Sequence, residues 1–267
     1  MGTIAFLTDF GRDDVFVGVC HGVMVAIAPR SRVVDITHSV PRQDVRAGSI
    51  QLARAAAYFP GAVGVAVVDP GVGTARRALA VATARMIFVG PDNGLLPPAI
   101  AVTGGAIAAV ELLEPKYFRH PVSSTFHARD IFCPVAAHLS RGVDMADLGP
   151  ALDCTTLVAL PEPKVELAPG KVTAEVLFVD IYGNVHSAAP GDAVRDWGLG
   201  TAVTVQVGRR EAHAVVATAF GQVAPGRLVV YEDSSGGLSI AVNAGNAAVQ
   251  LGLAASDVVT VAAGWAA

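Results

Sequence analysis

The sequence predicts an α/β protein in two parts: an N-terminal α/β sandwich-type domain around a central mixed sheet, followed by a smaller all-β barrel domain. Three observations carry this expectation. Short β-branched runs alternate with longer helical patterns in the first half of the chain. The stretch LPEPKVELAPGK at residues 160–171 is rich in proline and charge, a composition that favours an extended linker over a packed element. Beyond it come only short alternating runs separated by several glycine-bearing turns. The expected domains are therefore residues 1–163 and 171–267, joined by a linker at about 160–171.

IAFLT at residues 4–8 reads as a buried strand. A helix follows from Asp13 or Asp14 to Ile27 and is stopped by Pro29. VVDIT (33–37) is the next strand and residues 44–58 the next helix. The period then shortens: VGVAVVD (63–69), ALAVAT (78–83) and MIFVG (86–90) leave little room for helices, so antiparallel or hairpin pairing is expected and a plain Rossmann repeat is not. The last good helix covers 128–140, with Pro134 delaying its regular part or kinking it. Residues 173–180, 202–207, 228–231, 238–242 and 258–261 read as barrel strands.

A net charge of −4 leaves no basic field able to neutralise several phosphates, which excludes general nucleic-acid binding and points to small molecules. Cys20, Cys133 and Cys154 are widely spaced, odd in number and form no C-x-x-C pair, as expected for a reducing cytoplasm without a disulfide framework or zinc ribbon. The uncharged stretches 93–110 and 236–256 are broken by prolines, glycines, asparagines and a glutamine, so neither reads as a membrane span, and no basic n-region precedes the first strand.

Polar residues sit where apolar strands stop, the usual place for ligands in open α/β sheets. Asp9 in TDFG is either a carboxylate for a ribose diol or a cap for the next helix. VVDPGVGTARR puts Asp69 after a very apolar strand; its glycine turn lacks the lysine and hydroxyl of a P-loop and reads at least as well as a structural turn, across which Asp69 and Arg76 could face each other as a pair. STFHARD carries His127 where a helix begins, a position whose dipole keeps imidazole neutral; a structural histidine is the plainer reading. Asp180, Tyr182 and Asn184 alternate in FVDIYGNVHS as if on one strand face, and a hairpin at Gly183 accounts for them equally well. Ser234 to Gly237 reads as a hairpin loop.

Taken in order, LTDFG, VVDPGVGT with its trailing arginine, GPDNGLL, STFHARD, VDIYGNV and GGLSIAVN resemble the S-adenosylmethionine (SAM) hydrolases, or SAM hydroxide adenosyltransferases, relatives of the SAM-dependent halogenases. The resemblance implies in-line attack of water at the ribose C5′ carbon to give adenosine and methionine, without metal or cofactor. It implies a homotrimer with active sites between neighbouring subunits. By position, Asp69, Arg76 and His127 would hold the water and Asp9 the ribose diol, with Asp180 near the methionine amine. Ser234 and Ser235 would lie by the methionine carboxylate. Tyr182 would stack on adenine, its edge read by Asn184 and the backbone near Val242 and Ala244. Halogenases have arginines where this chain has Ser235 and Val242, and Arg77 competes with Arg76 for Asp69.

Three other functions compete with hydrolysis. A halogenase would need a halide cage, in which an anionic Asp69 repels the ion. A non-catalytic SAM or adenosine sensor would keep Asp9, Tyr182 and Asn184 but would not need the trio. A metallohydrolase would draw on His21, His38, His138 and His186, which show no H-x-x-x-H or comparable ligand pair.

Overall fold

The computed structural model describes residues 2–264, which divide into two compact units with the boundary between Leu160 and Pro161. The mixed α/β class and the barrel expected from the sequence are both present.

The first unit is a seven-stranded mixed sheet between two helical layers. Its strands are β1 (Thr3–Thr8), β2 (Arg32–Thr37), β3 (Val63–Val67), β4 (Ala78–Thr83), β5 (Ile87–Pro91), β6 (Ala106–Glu111) and β7 (Ala151–Leu152), in the order β2-β1-β3-β5-β4-β6-β7. β2, β1, β3 and β5 run parallel, whereas β4, β6 and β7 join by antiparallel pairing. Period two on the strands divides the core between the faces. Ile4, Phe6, Val63, Val65, Val67 and Ala80 pack on one side with Cys20 and Met24 of α1 (Phe16–Ile27) and with α4 (Cys133–Ser140). Leu7, Ala66, Val68, Leu79 and Val81 pack on the other with Leu52 of α2 (Val45–Ala56) and Ile100 of α3 (Pro97–Val102).

Several local expectations are corrected. α1 starts at Phe16 rather than at Asp13 or Asp14, and its cap position, Val15, makes no side-chain capping bond. Asp44 does cap α2, accepting from Ala47 N–H at 2.8 Å. The helix expected from residue 128 opens as a π-turn, Ala128–Phe132, before the regular α4. Pro134 is the reason. It has no N–H for the Asp130 carbonyl, which instead accepts from Arg119 N–H at 2.8 Å.

The second unit is a closed seven-stranded barrel. Its strands are β9 (Lys171–Val179), β10 (Val185–Pro190), β11 (Ala202–Val207), β12 (Arg210–Val216), β13 (Leu228–Glu232), β14 (Gly237–Val242) and β15 (Val258–Ala263). They follow the ring order β10-β14-β13-β12-β11-β15-β9, closed by the β9–β10 pairing. β8 (Val165–Ala168) lies in the stretch expected to be a linker and adds to the edge of β9. The chain there is extended, as its prolines require, but Leu167 packs on the barrel core and the backbone pairs with β9. Val172, Val176, Val203, Val205, Val230, Ile240, Val259 and Val261 fill the interior at every second position. Among the described residues no helix is long and apolar enough to cross a membrane.

Candidate active site

The site in the first unit is built on two turns, the one that follows the interior strand β3 and the one that carries His127. β3 ends at Val67, and the turn that follows folds Arg76 back over Asp69. Arg76 Nε donates to both Asp69 oxygens at 3.0 Å, and its Nη2 lies 2.5 Å from Oδ2. Both side chains are nearly buried, 4% exposed for Asp69 and 10% for Arg76, so little water screens the pair. Arg77 turns the other way. It binds Asp92 Oδ2 through Nε at 2.7 Å and the Thr156 carbonyl through Nη2 at 2.6 Å. The register question is thereby answered in favour of Arg76.

The same Nη2 group of Arg76 donates to His127 Nδ1 at 2.8 Å. A guanidinium has no acceptor, so Nδ1 must be the accepting nitrogen, and the neutral imidazole carries its proton on Nε2. Burial lowers the His127 pKa below 6.5, and the Arg76 charge lowers it further against the opposing pull of Asp69 and Asp130. The neutral form is the one expected from the sequence. Its causes are burial and a guanidinium rather than the helix dipole.

Gly73 explains why the β3 turn is rich in glycine. Its φ is +76°, and a Cβ there would collide with the Ser124 carbonyl oxygen of the His127 segment. Gly73→Ala should cost at least about 1–2 kcal/mol from backbone strain alone and spread the two turns apart. The expected outcome is a lower melting temperature together with reduced turnover; an unchanged melting temperature would show that the turn relaxes freely.

The His127 segment is anchored from below by Asp130, whose carboxylate is fully buried. Arg129 donates to it at 2.7 and 2.8 Å, Ser123 N–H at 2.9 Å and Arg119 at 3.2 Å. Burial pushes the Asp130 pKa up, and the Arg129 and Ser123 hydrogen bonds outweigh it, so the net direction is down. Sequence reasoning gave Asp130 no role, although it stands three residues after His127 on the same turn. It likewise passed over Asn93, whose side chain donates to the Val68 carbonyl at 2.9 Å and pins the chain just ahead of Asp69.

A cavity of about 370 Å³ opens beside these turns, and its lining includes Asp9, Asp14, Arg42, Asp69, Phe126 and His127. Asp9 is no helix cap: Oδ2 accepts from Gln43 N–H at 2.8 Å, which aims the carboxylate along the cavity wall. Phe10, Phe16 and Phe126 meet edge to face on the same wall, with centroids 5.4–6.1 Å apart.

In the barrel unit, Asp180, Tyr182 and Asn184 do not share a strand face as their alternation implied. They form a tight turn between β9 and β10, with Gly183 at φ +82°. Asp180 Oδ1 accepts from the Tyr182 and Asn184 N–H groups at 2.9 Å, and Oδ2 from the Asn184 amide at 2.8 Å. Alternation failed here because a carboxylate that caps backbone N–H groups two and four residues on stabilises a turn better than a strand. Tyr182 projects outward and is 72% exposed. Ser234 and Ser235 are also exposed, on a turn whose backbone is held by the buried Asp233. Val242 points into the barrel core, and Ala244 follows with φ +55°.

A family model for the SAM hydroxide adenosyltransferase N-terminal domain matches residues 4–149, and one for the C-terminal domain matches residues 174–260. An (R)-S-adenosyl-L-methionine hydrolase from Salinispora tropica is 50% identical over 98% of both chains. A fluorinase from an Actinoplanes species is 28% identical over 97% of this chain and 96% of its own. The crystal structure of an uncharacterized conserved protein from Thermotoga maritima superposes with a TM-score of 0.91 at 39% identity, covering 97% of this chain and 99% of that one. With both of its domains matched, the chain belongs to the SAM hydroxide adenosyltransferase family.

Proposed function

We propose that the protein hydrolyses S-adenosyl-L-methionine to adenosine and L-methionine by in-line attack of water at C5′. The observation that carries this reading is the Asp69–Arg76–His127 constellation at a cavity that also holds Asp9. A water on Asp69 would donate one hydrogen to the carboxylate and accept one from His127 Nε2–H. Its free lone pair then has a fixed direction. As oxygen bonds to C5′, the C5′–S bond breaks and its electron pair returns to sulfur. Neutral methionine leaves, and the proton released by the water passes to the Asp69 carboxylate that already accepts its hydrogen bond, while His127, protonated on Nε2, orients the oxygen. The sum of the step needs no cofactor beyond the substrate.

Electrostatics distinguish water from halide. A bare halide in the place of the water would meet the Asp69 carboxylate on the cavity wall, whereas a neutral water can donate a hydrogen bond to it. Chromatography of reactions containing chloride or fluoride should show adenosine and methionine in equal amounts. A 5′-halogenated nucleoside as the main product would favour the halogenase reading.

The pH dependence follows from His127. Only the neutral ring can accept from Arg76, and its pKa lies below 6.5. The ring is therefore half protonated only at a pH below that value. The acid limb of the kcat/KM profile should be centred below pH 6.5; an acid limb centred above 6.5 would contradict this assignment.

For the substrate, Asp9 would bind the ribose diol, Tyr182 would stack on adenine, and Asn184 with the backbone near Val242 and Ala244 would read its edge. Asp180 would approach the methionine amine, with Ser234 and Ser235 at its carboxylate. The exposure of Tyr182, Ser234 and Ser235 supports their meeting a ligand. We also propose a cytoplasmic homotrimer with active sites between neighbouring subunits. The exposed apolar residues Val15, Phe16, Val19 and Val25 of the first helical segment support self-association.

A further inference from the structure

His21, on α1, and His38, just past β2, are far apart by ligand spacing, but the β1–β2 pairing and the α1 crossover bring them to either side of Asp35. His21 Nε2 lies 2.7 Å from Asp35 Oδ1, and His38 Nε2 lies 3.1 Å from the same oxygen. These three ligand atoms all fall within 4.8 Å of one another.

The buried histidine shows that the cluster is more than an ion pair. His38 is 1% exposed, and its Nε2 has no aligned hydrogen-bond partner despite the nearby carboxylate. Its other nitrogen, Nδ1, is 2.8 Å from Thr8 Oγ1, which also accepts from Phe10 N–H at 3.2 Å. Thr8 Oγ1 can donate to Nδ1 or accept from it, and in either tautomer the buried Nε2 is left facing the Asp35 carboxylate without an aligned hydrogen bond. In the tautomer with Nδ1 protonated, a cation between Nε2 and Asp35 Oδ1 satisfies both.

We propose that His21, Asp35 and His38 form a binding site for a divalent transition ion of the zinc type, separate from the SAM cavity. The ligand set, two imidazoles and one carboxylate, is the kind such ions select. Metal–ligand bonds of about 2.0–2.2 Å in a tetrahedral site put ligand atoms about 3.4 Å apart. His38 Nε2, at 3.1 Å from Asp35 Oδ1, is close to that spacing, and the partly exposed His21, at 2.7 Å, reaches it by a larger side-chain shift of under about 1 Å. The Thr8 contact holds the His38 ring orientation and can accept from Nδ1–H, as partners of metal-bound histidines do. Burial lowers the His38 pKa against the opposing pull of Asp35, which keeps the ring available as a neutral ligand. His21 and Asp35 are about one-third exposed, so the ion has an entry path and room for water as a fourth ligand.

The test is direct titration of chelator-treated full-length protein with Zn²⁺, by competition against a chromophoric chelator, and with Co²⁺, by visible absorption. The substrate is left out, so the outcome is independent of the hydrolase reading. One ion per chain should bind, with the intense Co²⁺ absorption of a tetrahedral site. His21→Ala and Asp35→Ala, both altered at partly exposed positions, should weaken binding at least tenfold, whereas His21→Cys should retain it. Absence of stoichiometric binding, or equal binding by wild type and both alanine variants once circular dichroism shows them folded, overturns the proposal.

Discussion

Asp69→Asn should lower kcat by about 10³-fold, within the 10²- to 10⁴-fold contribution of a positioned acid–base group, while SAM affinity changes little. The asparagine side chain is nearly the same size and still accepts one Arg76 hydrogen bond, so the turn after β3 should keep its path. What it loses is the anionic oxygen that aligns the water and draws off its proton. It also presents an N–H₂ group to Arg76 or to the water, reversing one donor–acceptor relationship. Steady-state kinetics with isothermal binding of SAM separate the effects. A kcat within tenfold of wild type would remove Asp69 from the chemical step, and a large loss of SAM affinity would make it a binding residue.

The second large effect is expected on stability. Asp130→Ala removes an acceptor held by four hydrogen bonds in a fully buried position and leaves Ser123 N–H and two guanidinium groups without it. Arg119 and Arg129 are 45% and 26% exposed, so water recovers part of the loss. The cost should be about 2–4 kcal/mol, seen as a fall in melting temperature of roughly 5–15 °C. Because the folded pKa of Asp130 is depressed, its stabilisation is complete above the ordinary carboxylate range and is lost as pH falls through the folded value. The gap between wild type and Asp130→Ala should therefore narrow in acid. A melting temperature within about 2 °C of wild type at neutral pH, less than a 1 kcal/mol loss would produce, would show that Asp130 does not hold the His127 segment.

The legible parts of the fold are those where one local signal dominates. VGVAV is buried along its whole length as β3, and ALAVAT pairs antiparallel with the strand after it. β6 was hidden because its alanine-rich sequence lies in an uncharged stretch with no strand-specific alternation. β12 was hidden for the opposite reason: charged, exposed residues occupy its first half, and only its pairing with β11 and β13 defines it. Strand ends exposed Asp9 and Asp69 to view, since a carboxylate after an apolar run is conspicuous. Asp130, Asn93 and the His21–His38 cluster were not visible in this way. Their partners are set by the π-turn at Pro134, the approach of residue 93 to β3, and the crossover from α1 to β2.

Reaction in water enriched in heavy oxygen tests the account most directly, with mass spectrometry of both products. Attack at C5′ places the label in the 5′-hydroxyl of adenosine and none in methionine, at wild-type rate for the intact trio and about 10³-fold slower for Asp69→Asn. Adenosine without label, or label recovered in the methionine portion, would contradict displacement at C5′ by a water held on Asp69, Arg76 and His127.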